Sequence, residues 1–369
     1  MMKNLYLDIN VLQTVPSSNI NRDDTGTPKT AIYGGVTRSR VSSQSWKRVM
    51  RQAFMTDSEG AEWLNSHRTK HGVSLLANWI KSCSKDVSDE VALKKSLDTF
   101  KIVGLLSKKA KPDKKTGEYL TGALLQLSNG QLDKLAHYVL SHDELDKKEI
   151  KETLMEKSSL DLALFGRMVA DDPELNVDAA SQVAHAISTH AIVPEYDFYT
   201  AIDDDKEDSQ AGSAMMGTLA YNSSTLYRYA NVNINELMHN LGSTELTIEG
   251  VKLFVKEFML TMPTGKENTF ANKTLPQYVM ITLREDTPVN LVSAFEEPVK
   301  SNHGYVEESI ERLEKEYSDT LKLVEQPIYT GVLTTKQSNL NQVANTEELL
   351  DQVAKFVSEK VVDDENVNG

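Results

Sequence analysis

Strand signals stand towards the two ends of the chain, with a long helical stretch between them. Leu5, Leu7, Ile9 and Val11 alternate with Tyr6, Asp8 and Asn10, the period of a half-buried strand. Strand patterns return from Leu226 to Ile234 and, with alternation, from Tyr278 to Leu283. Between those two, a helix pattern starts near Thr247 and runs through Val251, Phe254, Val255 and Phe258 to Met262. Residues 57–170 read as polar and mostly helical, interrupted by a Lys-rich loop around Pro112 and Gly117. A sheet whose halves lie this far apart must accommodate that insertion, so the expected class is α+β.

The remaining segments carry local signals of their own. A loop rich in turn formers, Pro16 to Pro28, leads to Gly34-Gly35 and then to a helix from Ser42 or Ser43. At about 100° per residue, Trp46, Val49, Met50, Ala53 and Phe54 share one side of that helix, and Gln44, Lys47, Arg48 and Arg51 share the other. Asn176 to Ile192 is predicted as a further helix, capped by Asn176 or Asp178 and stopped by Pro194. Residues 195–224, with Gly212, Gly217 and Met215-Met216, predict a long excursion or hairpin. At 369 residues the chain suits about two domains, or one with a large insertion.

Charge is segregated. The net charge is −14, yet residues 25–56 hold Lys29, Arg38, Arg40, Lys47, Arg48 and Arg51 with no acid, a local +6, which leaves −20 for the rest. Lys108, Lys109, Lys111, Lys114 and Lys115 form a second basic run. Acid collects at Asp203, Asp204, Asp205, Glu207 and Asp208, and again in the tail. A single block of like charge is ordinarily solvated surface; segregation of both signs along one chain points to partners. The lone Cys83 excludes a disulfide framework and Cys-rich zinc sites and fits a reducing cytoplasm. The N-terminus shows no apolar leader, and no apolar run reaches the ~18 to 20 residues of a spanning helix, so no membrane partner is expected.

Motif-borne catalysis finds little support: the sequence has no P-loop, GxGxxG, HExxH or GxSxG. His67 and His71 have the i, i+4 spacing of a helical ligand pair, but surface histidines explain them better. Asp23 and Asp24 with His185 and His190 would make a general acid/base or metal-dependent hydrolase set, against which capping and core hydrogen bonds are the simpler account. The cationic helix face differs in kind. A phosphate backbone needs cations projected from a rigid element, with hydroxyl and amide groups beside them, and Ser42, Gln44, Lys47 and Arg51 supply these at a helix N-terminus.

Several segments together resemble the CasC-type backbone subunit of the type I-E CRISPR surveillance complex, Cascade, a member of the RAMP superfamily. They are Asn21-Arg22-Asp23-Asp24, Lys29 to Gly35, Arg40 to Arg48, Leu162 to Met168, Val183 to His190, Phe198 to Asp204, Tyr227 to Asn231 and Ser293 to Glu296. The resemblance runs over about residues 4–300. It implies a modified RRM-type, ferredoxin-like palm with large helical fingers and a thumb hairpin. Palm would be 1–56, 171–194 and 225–369 with the C-terminal part, fingers 57–170, and thumb 195–224. It implies a non-catalytic subunit without cofactor or metal, polymerising head to tail with further copies along guide crRNA, beside other Cascade subunits and target DNA. By motif match Arg22, Lys29, Ser42, Gln44, Lys47 and Arg51 would line the RNA backbone, Met168 would sit against a base, and Phe198 and Tyr199 would mark the thumb base. Phe165 departs from the family pattern, which has a small polar residue there. Target DNA would meet Lys108, Lys109, Lys111, Lys114 and Lys115, with Lys147 and Lys148 as the alternative set.

Overall fold

The computed structural model describes residues 4–57, 62–106, 112–113, 115–170, 172–201 and 215–367. Strands β1 (Tyr6–Ser18), β2 (Thr30–Tyr33) and β3 (Val36–Val41) precede helix α1 (Ser43–Asp57). Then come β4 (Ser66–Thr69), α2 (Gly72–Cys83), α3 (Asp89–Ile102), β5 (Leu125–Ser128), α4 (Asn129–Ser141), α5 (Lys147–Met155) and α6 (Leu160–Phe165). Strands β6 (Ser181–Val183), β7 (Ala186–Ser188), β8 (Glu195–Ala201) and β9 (Met215–Asn233) lead to α7 (Ile234–Leu241) and α8 (Thr244–Leu260). The chain continues through α9 (Glu267–Phe270), β10 (Tyr278–Arg284), α10 (Val306–Thr320), β11 (Tyr329–Thr334) and α11 (Thr346–Val367). Among the described residues no helix is long and apolar enough to cross a membrane.

The fold is α+β, an RRM-like palm with a helical insertion and a long hairpin. Two compact units divide the chain: Met1–Met50, Val183–Asn231 and Lys252–Gly369 form the palm unit, and Arg51–Gln182 with Val232–Val251 form the helical one. The palm sheet runs β11-β10-β1-β9-β7-β3-β2, with β8 paired to the outer part of β9. β1 is antiparallel to β10 from Tyr6↔Arg284 to Leu12↔Tyr278. In the helical unit, α2, α3 and α4 pack through Val73, Leu76, Ile80, Phe100, Leu132 and Leu135, beside the antiparallel β4–β5 pair. Ser128 caps α4 in a reciprocal box with Gln131.

Two expectations are corrected. Residues 176–192 are not a helix: they hold β6 and β7, and β7 is wedged between β3 (Arg40↔Ile187) and β9 (Ile187↔Tyr227). The Ala-rich pattern lost to tertiary pairing, and Asn176 instead accepts the Val169 N–H. Nor is β1 half-buried, since Leu7 through Gln13 are all buried. On one face Asp8 and Asn10 accept the hydroxyls of Tyr229 and Tyr227 at 2.7 Å each, beneath a cluster that includes Tyr317 and Leu313 of α10. On the other, Gln13 meets Arg228.

Burial drives the Asp8 carboxyl up to about 6, although the Tyr229 hydroxyl, the Val289 N–H and Arg284 favour its ionised form. A carboxyl whose folded value lies above the unfolded one stabilises below the unfolded value and loses that contribution as pH rises through the folded one. The unfolded reference is 3.8. The wild-type chain is therefore expected to lose about 2 kcal/mol relative to Asp8→Asn between pH 4 and pH 7. Urea midpoints of both proteins at the two pH values test this, and a pH-independent difference counts against it.

Candidate nucleic-acid interface

The N-terminal end of α1 is held from below. Ser42 is buried, its N–H donates to Asn21 Oδ1 at 2.8 Å, and its hydroxyl donates to Ser45 Oγ at 3.2 Å. Trp46, Met50 and Phe54 on the inner side are essentially inaccessible, which leaves Gln44 and Arg48 facing solvent. Lys47 is half-buried, and that burial lowers its pKa. Arg51 is engaged: its Nε donates to Asp161 Oδ2 at 2.7 Å, on a carboxylate that also accepts from Ser66 and Gln126.

Asn21 ties the loop before the helix to it. Lys29 N–H returns to Asn21 O, and Arg40 N–H to Lys29 O. Asp23 gathers four donors, the N–H and hydroxyl groups of Thr25 and Thr27. Those hydrogen bonds, Thr27's first and then Thr25's, hold the Asp23 carboxyl down at about 2. The resulting rigid loop presents Arg22, which is exposed. Gly265 passes so close that a Cβ there would lie 2.5 Å from Ile20 O, which brings Lys266 up beside the loop. Arg22, Thr25, Thr27, Lys266 and Thr269 line one side of an open cleft of about 770 Å³, with Tyr196 and Tyr199 of β8 also on its wall. Sequence reasoning missed Lys266 and Thr269. The only local signal was Gly265 itself, and its meaning depends on a backbone some 240 residues earlier.

The β8–β9 hairpin pairs Phe198 with Thr218 and Tyr199 with Gly217, so Tyr196, Phe198 and Met216 share one face and Tyr199 and Met215 the other. Phe198 is 65% exposed and Met216 66%. The Tyr199 ring lies over Gly217, where a Cβ would come within 2.5 Å of its hydroxyl. The acidic cluster at 203–208 lies outside the described residues, as do Lys108, Lys109, Lys111 and Lys114. Lys115 is exposed in a turn whose N–H groups cap Asp113, and Lys147 and Lys148 are exposed at the start of α5. Lys148 reaches Glu152 at 3.5 Å, a surface pair worth about 0.3–0.5 kcal/mol.

In the helical unit, Met168 is 82% exposed because its neighbours are fixed. Arg167 is buried and donates to the carbonyls of Leu175, Gln126 and Leu154, and its burial lowers its pKa to about 10. Gly166, at φ +75°, tucks against Val177 O. Phe165 stacks on Phe54 at 6.3 Å, so the departure from the family pattern has a partner here.

Three of the four hydrolase candidates, Asp23, His185 and His190, are otherwise engaged. His190 stacks on Tyr305 at 3.6 Å, with Nδ1 directed at Ala191 O and Nε2 accepting the Thr225 N–H. Both ring nitrogens are thus spent, with the tautomer assigned from these partners. His185 Nδ1 faces Arg40 at 3.1 Å; burial first, then Arg40 and Lys29, lower its pKa. Asp24 is exposed, and Asp23 belongs to its own loop. His67 lies on β4, not on a helix with His71, and bonds Asn129; His71 bonds Glu118.

The family of CT1975-like proteins matches residues 7–358. The chain belongs to that family. Among solved structures, a chain of an assembly described as a CRISPR RNA-guided surveillance complex, pre-nicking, is 30% identical with a TM-score of 0.83. The match covers 95% of this chain and all of the other. A second, from a CRISPR RNA-guided surveillance complex, is 27% identical with a TM-score of 0.73, covering 95% of this chain and 99% of that one. No curated protein matches. The resemblance read from the signature segments stands at the level of a CRISPR surveillance-complex subunit. In this CT1975-like chain several of those segments work as architecture. Arg38 is fully buried and donates to the carbonyls of Tyr33, Ser188 and Phe295, clamping the Lys29 to Gly35 hairpin onto Ser293 to Glu296. Gly34 approaches Glu296 O so closely that a Cβ would overlap it.

Proposed function

We propose that this protein is the backbone subunit of a type I-E CRISPR surveillance complex, a non-catalytic subunit that polymerises head to tail along the spacer part of guide RNA. The observation that carries the reading is the full-length likeness to a chain of an RNA-guided surveillance complex, at 30% identity and a TM-score of 0.83. The palm geometry supports it. The rigid Asn21–Lys29 loop, the α1 N-terminus and Lys266 offer cations, hydroxyls and N–H groups, which suit a phosphate backbone of any sequence. Base pairing then supplies the specificity. In this reading Arg22, Lys29, Ser42, Gln44 and Lys47 contact RNA and Met168 meets a base. Arg51 contributes through its ion pair with Asp161.

The hairpin, with apolar side chains exposed on both faces, acts as the wedge that crosses the guide strand, Phe198 and Tyr199 at its base, and docks on the next copy. Such a contact is heterologous and builds an open filament. Lysines of the helical unit, Lys108, Lys109, Lys111, Lys114 and Lys115 or else Lys147 and Lys148, make passing contacts with duplex DNA.

The test is purification of the chain with its nucleic acid, sequencing of that RNA, and comparison with a variant lacking residues 203–217. The wild type should carry repeat-spacer RNA and bind it cooperatively, and the deletion should bind weakly and without cooperativity. Charge reversal at Lys147 and Lys148, or at 108–115, should slow duplex capture and leave RNA assembly intact. Cooperative filaments from the deletion variant, or an absence of repeat-spacer RNA, would overturn the reading.

A further inference from the structure

Away from the palm, the helical unit brings together three side chains of metal-binding type. Cys83 is the last residue of α2, and Asp133 and His137 stand one turn apart on the packed neighbour α4. Cys83 Sγ lies 3.9 Å from Asp133 Oδ1 and 4.0 Å from His137 Nδ1, and the latter two atoms are 3.4 Å apart. A tetrahedral ion with metal–sulfur near 2.3 Å and metal–nitrogen and metal–oxygen at about 2.0–2.1 Å requires ligand edges of about 3.6, 3.6 and 3.3 Å. The observed triangle matches one face of that tetrahedron to within about 0.4 Å. We propose that Cys83, Asp133 and His137 form a binding site for a zinc-class divalent cation, with the fourth position open to water.

The donor set fits the ion. One sulfur, one imidazole nitrogen and one carboxylate oxygen favour zinc-class metals over magnesium or calcium, which prefer all-oxygen shells. His137 Nδ1 is now directed at Asp133 O at 2.9 Å, a carbonyl at helical i, i+4 spacing from the His137 amide. Releasing Nδ1 to a metal therefore leaves that carbonyl its helical hydrogen bond, and the ring proton moves to Nε2 on a side chain that is 64% exposed. The Cys83 thiol has its pKa raised, by burial first and then by Asp133. A bound dication reverses that penalty: the S–H bond breaks, the proton leaves to solvent, and the thiolate coordinates. The bound ion joins α2 to α4 inside the helical unit and makes no use of the proposed RNA-binding groups.

Full-length protein freed of metal by a chelator should take up one equivalent of Co²⁺, with a near-ultraviolet thiolate-to-cobalt absorption that Zn²⁺ then displaces. Cys83→Ser should abolish the absorption, and Asp133→Asn and His137→Ala should each weaken binding by roughly tenfold or more. Far-ultraviolet circular dichroism confirms that each variant is folded. In the unmodified chain, Zn²⁺ should slow alkylation of Cys83 at least about tenfold. Absence of the absorption band, an alkylation rate indifferent to zinc, or unchanged affinity in both Asp133→Asn and His137→Ala would overturn the site. None of these readouts involves RNA, so they fail or succeed separately from the assembly role.

Discussion

Arg228→Ala is expected to destabilise the palm by about 3–5 kcal/mol, because it leaves buried acceptors unmatched and opens a cavity in the sheet's packed face. The Arg228 guanidinium donates to Gln13 Oε1 and to the Phe258 carbonyl, and lies 3.8 Å from the centre of the Trp46 ring. Complete burial lowers its pKa to about 9, so the group remains charged at neutral pH. Its acceptors are neutral, and it depends on them and on the flanking rings of Trp46 and Phe258. Arg228→Met, which keeps the length and removes the charge, should recover part of the loss. Urea unfolding followed by Trp46 fluorescence, in a Trp63→Phe, Trp79→Phe background, measures both. An Arg228→Ala palm within about 1 kcal/mol of wild type would mean that the stacked cation is dispensable.

Replacing Arg22, Lys29, Lys47 and Lys266 together by glutamine is expected to remove nearly all sequence-independent RNA affinity. For single strands each lost phosphate contact lowers the slope of log affinity against log salt by about 0.7, so four contacts remove about 2.8. At 0.1 M salt, measured from a 1 M reference, that corresponds to roughly 600-fold. Arg22 and Lys266, facing one cleft beside Tyr196 and Tyr199, should account for about half of the slope. Filter binding of unstructured RNAs of two unrelated sequences across a salt series tests this. A slope that is unchanged in the quadruple variant, or a loss confined to one sequence, would place RNA elsewhere. Arg51 is left out deliberately, since its replacement would strand the buried Asp161 and confuse folding with binding.

The strands at both ends and α1 were legible because their periodicities are local, and the hairpin through its glycines and paired methionines. Trp46, Met50 and Phe54 announce a packed side at helical spacing, and Tyr278 to Leu283 announce a strand. Failures fell where long-range partners decide. Asp8 and Asn10 read as solvent-facing until Tyr229 and Tyr227 supply their donors from β9. Ala186 and Ile187 read as helix until β3 and β9 compete for their backbone. Among candidate site residues, Arg22 and Lys29 came from the resemblance of their motifs, while Lys266 depended on a close approach that no nearby residue encodes. Arg51 shares the helical wheel's cationic side with Lys47, and its ion pair with Asp161, more than a hundred positions away, is not visible there. The Cys83 cluster shows the same limit, because one cysteine carries no spacing pattern.

The position of β1 has a consequence for biosynthesis. β1 leaves the ribosome well before its neighbours in the sheet, since β9 and β10 begin only at Met215 and Tyr278. At ordinary elongation rates β1 therefore waits on the order of tens of seconds with both edges open. The nascent chain meanwhile completes the stretch from α2 to α5, whose described core cluster lies between Val73 and Leu175. A message truncated before Tyr278 would leave β1 without its β10 partner and with an open edge, ready to pair with another chain.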